Sequence, residues 1–414
     1  MTYHHQRDLL RRLADEVAEI ASLPVQRERI SLWTRLNDLD PVRPMVWITE
    51  IPWTEFEDDI EELRPACEDE KLRSIELDLR RKIFTARYLA TDEVVLPTWD
   101  VPLEIEGLSY GVTVAEQTIA QGSSYILSHH YKPAITDFAD IEKIVMPQVV
   151  HHAAQTAERV AFFEGLFGDI LPIRTRGIRQ HFNDIWDTLV RFTGVTEALI
   201  DLSERPDFIH ALMRRMTDNY LSRMTQLEAQ QLLAPSTDLA RVGSGASGCS
   251  SRLPSATTDP ATIRLVDQWG GATPQIFADV SPEMHEEFAL RYELETMQLC
   301  GLNYYGCCEP VHNKMHLLAT VPNLRKVSIS PWCDVAKTAA EARQRYVFSH
   351  KPSPALLAGA YFDGTRAKQD IIDRLEQSGP MPCEFIMKDI STVQGDVQRL
   401  IDWCRIASRL ADPL

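Results

Sequence analysis

The chain has 414 residues, 44% hydrophobic and 25% charged, the usage of a globular protein rather than a disordered or membrane-spanning one. Its formal net charge of -17 at pH 7 repels phosphate backbones and anionic lipid, and no local basic patch offsets it, so neither nucleic acid nor membrane is expected as a partner. No stretch approaches ~18 uncharged apolar residues and the N-terminus lacks an apolar h-region, so a cytoplasmic protein is expected.

In chain order, Leu9, Leu10, Leu13, Val17, Ile20 and Leu23 recur at three- and four-residue intervals and predict a helical extension over residues 1–40. PMVWITEIPW, bounded by prolines, predicts a buried strand ending at Glu50. A second amphipathic helical stretch follows, broken at Pro65. EVVLPTWD and GDILPIRTRGI predict two more strands, with residues 104–135 inserted between them as a hairpin-bearing segment. Helical patterns then alternate with TDLARVGSGASG, LNYYG, LRKVSISPW, YVFSHKP and CEFIMKDIS. Eight strands, ending near Glu50, Asp100, Arg176, Ser244, Tyr305, Ser330, Ser349 and Lys388 and separated mostly by helices, predict an α/β fold, a (β/α)8 TIM barrel over residues 41–414. GSGASG at 243–248 does not lead into a helix, so it is no dinucleotide loop; a mobile loop and a plain turn are equally open.

In such a barrel the chemistry collects where the strands end. Glu50 follows an apolar run, where an acid is costly unless paired or ligating, so it is a candidate acid, base or ligand. Arg174 and Arg176 alternate on one face and could grip a carboxylate or phosphate, or pair with Asp100. Lys388 and Asp389 suit substrate binding and proton transfer, or an internal ion pair. Trp53, Trp99, Tyr305 and Trp332 could wall a pocket, although aromatics near strand ends are more often core.

The densest cluster is YYGCCEPVHNKMH at 304–316. Without a secretory signal, the eight cysteines favour free thiols over disulfides, and most serve as small buried hydrophobes. Cys307 and Cys308 are the exception, since adjacent side chains of a regular strand point to opposite faces and can converge only at a turn. With Glu309, His312 and, from the next strand end, Cys333, they form a candidate zinc set, although the spacing matches no standard zinc motif. Buried thiols and a strained vicinal disulfide are the other readings.

The helix SPEMHEEFALRYE leading to LNYYGCCEP, and the closing CEFIMKDISTVQGDVQRLIDWC, resemble the uroporphyrinogen decarboxylase superfamily over roughly residues 30–410. That superfamily places decarboxylases and zinc- and corrinoid-dependent methyltransferases on a (β/α)8 barrel. The decarboxylases carry an arginine-bearing RQAGR segment where this chain has ITEIPW, and a late histidine missing from MKDISTVQGD. The methyltransferases carry H-x-C in the region of YYGCC, where Cys307 or Cys308 would match the cysteine and Tyr305 or Gly306 stands in place of the histidine, and a late cysteine where Lys388 and Asp389 stand. The resemblance therefore implies a divergent methyltransferase, moving methyl from a small methylated donor to a corrinoid on a partner carrier protein, with zinc as Lewis acid. A decarboxylase of a smaller acid and a non-catalytic tetrapyrrole- or corrinoid-binding protein are the alternatives. Whether the chain is a monomer or a homodimer is left open.

Overall fold

The computed structural model describes residues 2–40, 42–120, 127–236, 241–259 and 262–412. Two helices open the chain, Tyr3–Ser22 and Pro24–Asn37. The Thr2 side chain caps the first by accepting from the His5 amide, and Pro24 starts the second, where its missing N–H costs nothing. The predicted stripe of Leu9, Leu10, Leu13 and Val17 buries against Leu72, Ile75, Leu79 and Ile83 of the helix Glu70–Tyr88. Asn37 donates to the carbonyls of Ser247 and Cys249 at 2.9 and 2.6 Å, which ties these helices to the sheet's contents.

Nine strands position the site: β1 (Met45–Ile48), β2 (Trp99–Pro102), β3 (Ile173–Arg176), β4 (Gln180–Asn183), β5 (Trp269–Ala272), β6 (Leu302–Tyr305), β7 (Leu324–Ile329), β8 (Val347–His350) and β9 (Cys383–Met387). Seven form one parallel sheet in the order β1-β9-β8-β7-β6-β5-β4, and β2 and β3 form a separate parallel pair. Every residue of β1 and of β5 to β9 is buried, as expected of parallel strands covered on both faces. Among the described residues no ladder joins β1 to β2. There Asp92 stands in for a neighbour, its amide donating to the Val46 carbonyl and its carboxylate accepting from the Val46 amide, both at 2.8 Å.

One predicted strand is corrected. The segment ending near Ser244 is not a strand, and β5, WGGA, takes the fourth position instead. Its two glycines weaken any strand signal, yet both are required: a Cβ on Gly270 would stand 2.5 Å from Asn303 Oδ1, and one on Gly271 2.6 Å from the Tyr304 carbonyl. Residues 241–250 form a largely buried loop instead. Arg241 reaches Thr49, just past β1, at 3.2 Å, and the Gly243 amide donates to Gln180 of β4 at 2.9 Å. Ala246 packs with Trp47, Val347 and Ile386, and Val242 with Trp269 and Leu302. A segment touching both edges and the middle of a seven-stranded sheet requires that sheet to curl around it. Of the two readings open for GSGASG the turn is the one observed, with the Gly245 amide donating to the Val242 carbonyl at 2.9 Å and Arg241 bridging Ser247, and that turn fills the curl. Glycine at 245 is forced by close approach, since a Cβ there would lie 2.5 Å from the Tyr304 ring.

The inserted segment contains the expected hairpin, Glu116–Ala120 paired antiparallel with Leu127–Tyr131; residues 121–126 at its turn lie outside the described residues.

Candidate active site at the strand ends

Gly306, directly after β6, takes φ +92°, and its amide donates to the Ala272 carbonyl at 2.8 Å. This turn breaks the strand alternation, so the Cys307 and Cys308 sulfurs lie 3.6 Å apart. Cys307 is buried and Cys308 half-buried. Lys388 Nζ lies 3.5 Å from Cys307 Sγ and 3.0 Å from Asp389 Oδ2, while Cys308 Sγ lies 3.8 Å from the same carboxylate oxygen. Asp389 donates its amide to Glu50 Oε2 at 2.8 Å, and Glu50 Oε1 is 3.2 Å from Arg241. Glu50 and Asp389, just beyond adjacent strands, both sit at φ +55°. For non-glycine residues this left-handed backbone costs on the order of 1 kcal/mol each, a strain that concentrates at functional sites.

The electrostatics separate the two thiols. The hydrogen bond from Cys308 is the largest influence on Cys307; with the positive charges of Lys388 and Lys351 it overcomes burial and lowers the Cys307 pKa to about 5. Cys308, holding the shared proton next to that charge, is pushed up. Burial works against the Lys388 ammonium, but the charges of Cys307, Asp389 and Glu50 outweigh it and raise its pKa. Asp389 is held low, Lys388 overcoming its burial.

Buried hydroxyls support this group. Ser244, carried in by the glycine-rich filling, lies 3.0 Å from Tyr304 Oη and donates to the Gly306 carbonyl at 3.0 Å. Lys351 donates to Tyr304 Oη at 2.8 Å and to Ser328 Oγ at 2.5 Å, and Ser328 donates to the Cys307 carbonyl at 2.6 Å. Arg241, Thr273 and Ser328 went unnamed in the sequence reading. For Ser328 a signal existed: in LRKVSIS the polar Lys326, Ser328 and Ser330 alternate within a strand buried on both faces, which marks a polar face turned inward.

Of the predicted site residues, Glu50, Cys307, Cys308, Lys388 and Asp389 come together. Trp332, 73% exposed, stands at the edge of a cavity of about 270 Å³ that it lines with Cys308, Lys351, Pro352, Lys388 and Asp389. The others lie apart from the thiols. Glu309 turns inward, accepting from Thr273 at 3.0 Å and from the Cys307 amide at 3.0 Å, and burial pushes its pKa up to about 7. Tyr305 is fully buried between Glu293 (2.7 Å) and His285 (2.6 Å). Cys333 faces Thr338 at 3.2 Å, and His312 accepts from the Asp334 amide at 3.3 Å. Trp53 packs on Phe56 and Phe84. Arg174 and Arg176 are held by Asp100 at 3.0 and 2.9 Å, so the carboxylate grip open to them is taken by this chain's own acid. Trp99 and Asp100 belong to a different cavity, of about 230 Å³, shared with Lys82 and Arg179.

Zinc takes three or four protein ligands. Among the described residues no three His, Cys, Asp or Glu side chains come close enough to share one ion, and the cation facing the thiols is the Lys388 ammonium. The donor set as built does not fit the zinc that the resemblance implies.

No family model and no curated protein matches the sequence. Among solved structures, a methyltransferase from Methanosarcina mazei is similar, with a TM-score of 0.51 over 92% of this chain and 98% of that chain, at 11% sequence identity. At that identity the likeness is one of fold: the chain shares the α/β architecture of that protein, with a lysine, a low-pKa thiol and two strained acids gathered where its strands end.

Proposed function

We propose that this protein is a methyltransferase on a (β/α)8 barrel, a divergent member of the uroporphyrinogen decarboxylase superfamily. The barrel reading takes β3 and β4, four residues apart in sequence, as one bent strand, so that with β2 the sheet has eight positions. The methyl donor, a small methylated compound such as a methyl ether, occupies the cavity beside Trp332, and the acceptor is a corrinoid brought by a carrier protein to the same face.

The observation that carries this reading is Lys388, a buried ammonium held between a thiolate and a carboxylate at the cavity wall. As the methyl leaves, negative charge grows on the donor atom, and an ammonium fixed in a partly desolvated site stabilises that charge without reorganising. Asp389 pairs with Lys388 and holds it in place, and the charge of Glu50 helps to keep it ionised. Ser244, Tyr304 and Lys351 hold the loop that carries Cys307. Proton return to the leaving group falls to Lys388 or to water through the open cavity.

Anaerobic mixing of the protein with free cob(I)alamin and a panel of methyl ethers, methylamines and methyl thioethers tests this, with methylcobalamin followed by absorbance. Turnover with at least one donor is expected, with kcat reduced roughly 10²-fold in Lys388→Met and KM little changed. Absence of turnover with every donor, or full activity in Lys388→Met, would overturn the reading.

A further inference from the structure

We propose that Cys307 and Cys308 form a chelating dithiol site for a trivalent organoarsenical whose organic group sits in the cavity beside Trp332. The inference is independent of methyl transfer and starts from the number of donors. Two thiols are too few for zinc, yet they complete an arsenic(III) centre that already carries one carbon.

The geometry fits such a centre. A disulfide needs about 2.05 Å between sulfurs, whereas these stand 3.6 Å apart. Two sulfurs each at about 2.3 Å from a common centre, the length of a zinc–thiolate bond, and roughly 100° apart at it lie roughly 3.5 Å from each other, so the pair can close on one central atom of that size. The pair is also held in place: the Cys307 amide donates to Glu309 and its carbonyl accepts from Ser328, so chelation orders little that is not already ordered. Elsewhere, Cys333 faces Thr338 and Cys300 the Thr296 carbonyl.

The surroundings select the ligand. Cys308 opens onto the cavity, whose walls include Pro331, Trp332, Pro352 and Pro354, an apolar setting for a methyl or phenyl group. Binding converts thiolate and thiol into a neutral dithioarsenite, and Lys388 keeps Asp389 as its counter-ion. In the step R–As(OH)2 + Cys307–S− + Cys308–SH + H+ → R–As(S–Cys307)(S–Cys308) + 2 H2O, two As–S bonds form and two As–O bonds break. The hydroxyls leave as water with the proton of Cys308 and one from solvent. Arsenic stays trivalent, so no oxidant or reductant is required.

Phenylarsine oxide and methylarsonous acid, titrated into the reduced full-length protein, test the site by intact-mass measurement and thiol counting. One adduct per chain with loss of two reactive thiols is expected; Cys307→Ser and Cys308→Ser each lose it by at least 100-fold in affinity, and Cys333→Ser retains it. Because Cys308 is half-exposed, its variant decides the question even if Cys307→Ser fails to fold. Absence of an adduct on the wild type, or an adduct that survives Cys308→Ser, overturns the proposal. A parallel zinc titration separates it from a metal site: tight 1:1 zinc with no arsenical chelate also overturns it.

Discussion

Two lysine–carboxylate pairs, fewer than a dozen residues apart at their acids, show how one chemistry serves two ends. Lys326 and Glu384 meet at 2.8 Å with both side chains 0% exposed, and each has a further partner: Lys326 donates to the Ser247 carbonyl at 2.9 Å and Glu384 accepts from the Ala246 amide at 3.0 Å. Both of these further hydrogen bonds go to the glycine-rich filling, so the pair closes the curled sheet onto that segment. Lys388 and Asp389 meet at 3.0 Å, but the acid is 49% exposed and the lysine also faces a thiolate at a cavity wall. The first pair is complete without a ligand. The second leaves donors and charge turned toward open space, and that difference, not the presence of an ion pair, marks a site.

Breaking the closed pair should have the largest effect. Lys326→Met strands the Glu384 carboxylate without its counter-ion, and about 3–5 kcal/mol of stability should disappear in urea unfolding. Adding Glu384→Gln to it should restore part of the loss; a single variant as stable as wild type would mean the pair closes nothing. Next comes Gly245→Ala, whose Cβ would lie 2.5 Å from the Tyr304 ring and 3.0 Å from Glu384 Oε1. The cost should be about 1–3 kcal/mol, because the ring is hemmed in and must shift as a body.

Breaking the open pair should barely touch stability and should appear in reactivity. With the Cys307 pKa near 5, its thiolate persists above that pH, so alkylation by iodoacetamide should plateau above pH ~6 and fall as pH drops through about 5. In Lys388→Met the largest single charge holding the thiolate is gone and the inflection should climb, with the remaining Cys308 hydrogen bond keeping it below the ~8.5 of a free thiol. Alkylation between pH ~5 and the new inflection should slow accordingly. An unchanged inflection would mean Cys308 alone sets the thiolate, and Lys388 would lose its part in the site.

How much of this was legible follows from what leaves a local trace. The α/β alternation and most strand ends did, because fully buried parallel strands such as MVWI and CEFIM read as continuous apolar runs. Glu50, Cys307, Cys308, Lys388 and Asp389, which the fold brings together, could be singled out because polar groups at strand ends are conspicuous. The strand WGGA was missed because its demand is for the absence of a side chain, set by Asn303 and Tyr304 from another strand. For the same reason GSGASG could not be told from a surface loop: nothing local says that a glycine faces Tyr304 rather than water. Trp53, Trp99 and His312 lie apart from the thiols while Trp332 borders the cavity, since composition places such side chains near strand ends but only packing decides which way each turns.

The smallest effect tests the edge of the open pair. Glu50 is 40% exposed, touches Arg241 at 3.2 Å and accepts from the Asp389 amide at 2.8 Å. In Glu50→Gln the side-chain oxygen still accepts that bond while the charge is lost, and a half-exposed ion pair contributes only about 0–1 kcal/mol, so urea unfolding should move within that range. The thiolate reads the charge more directly. Removing a negative group that competes for Lys388 frees the ammonium for Cys307, so the alkylation inflection should move down by a few tenths of a pH unit, opposite in sign to Lys388→Met. An upward shift would show that Glu50 holds Lys388 in position rather than competing for its charge. The strained φ of +55° shared by Glu50 and Asp389 would then be the cost of that positioning.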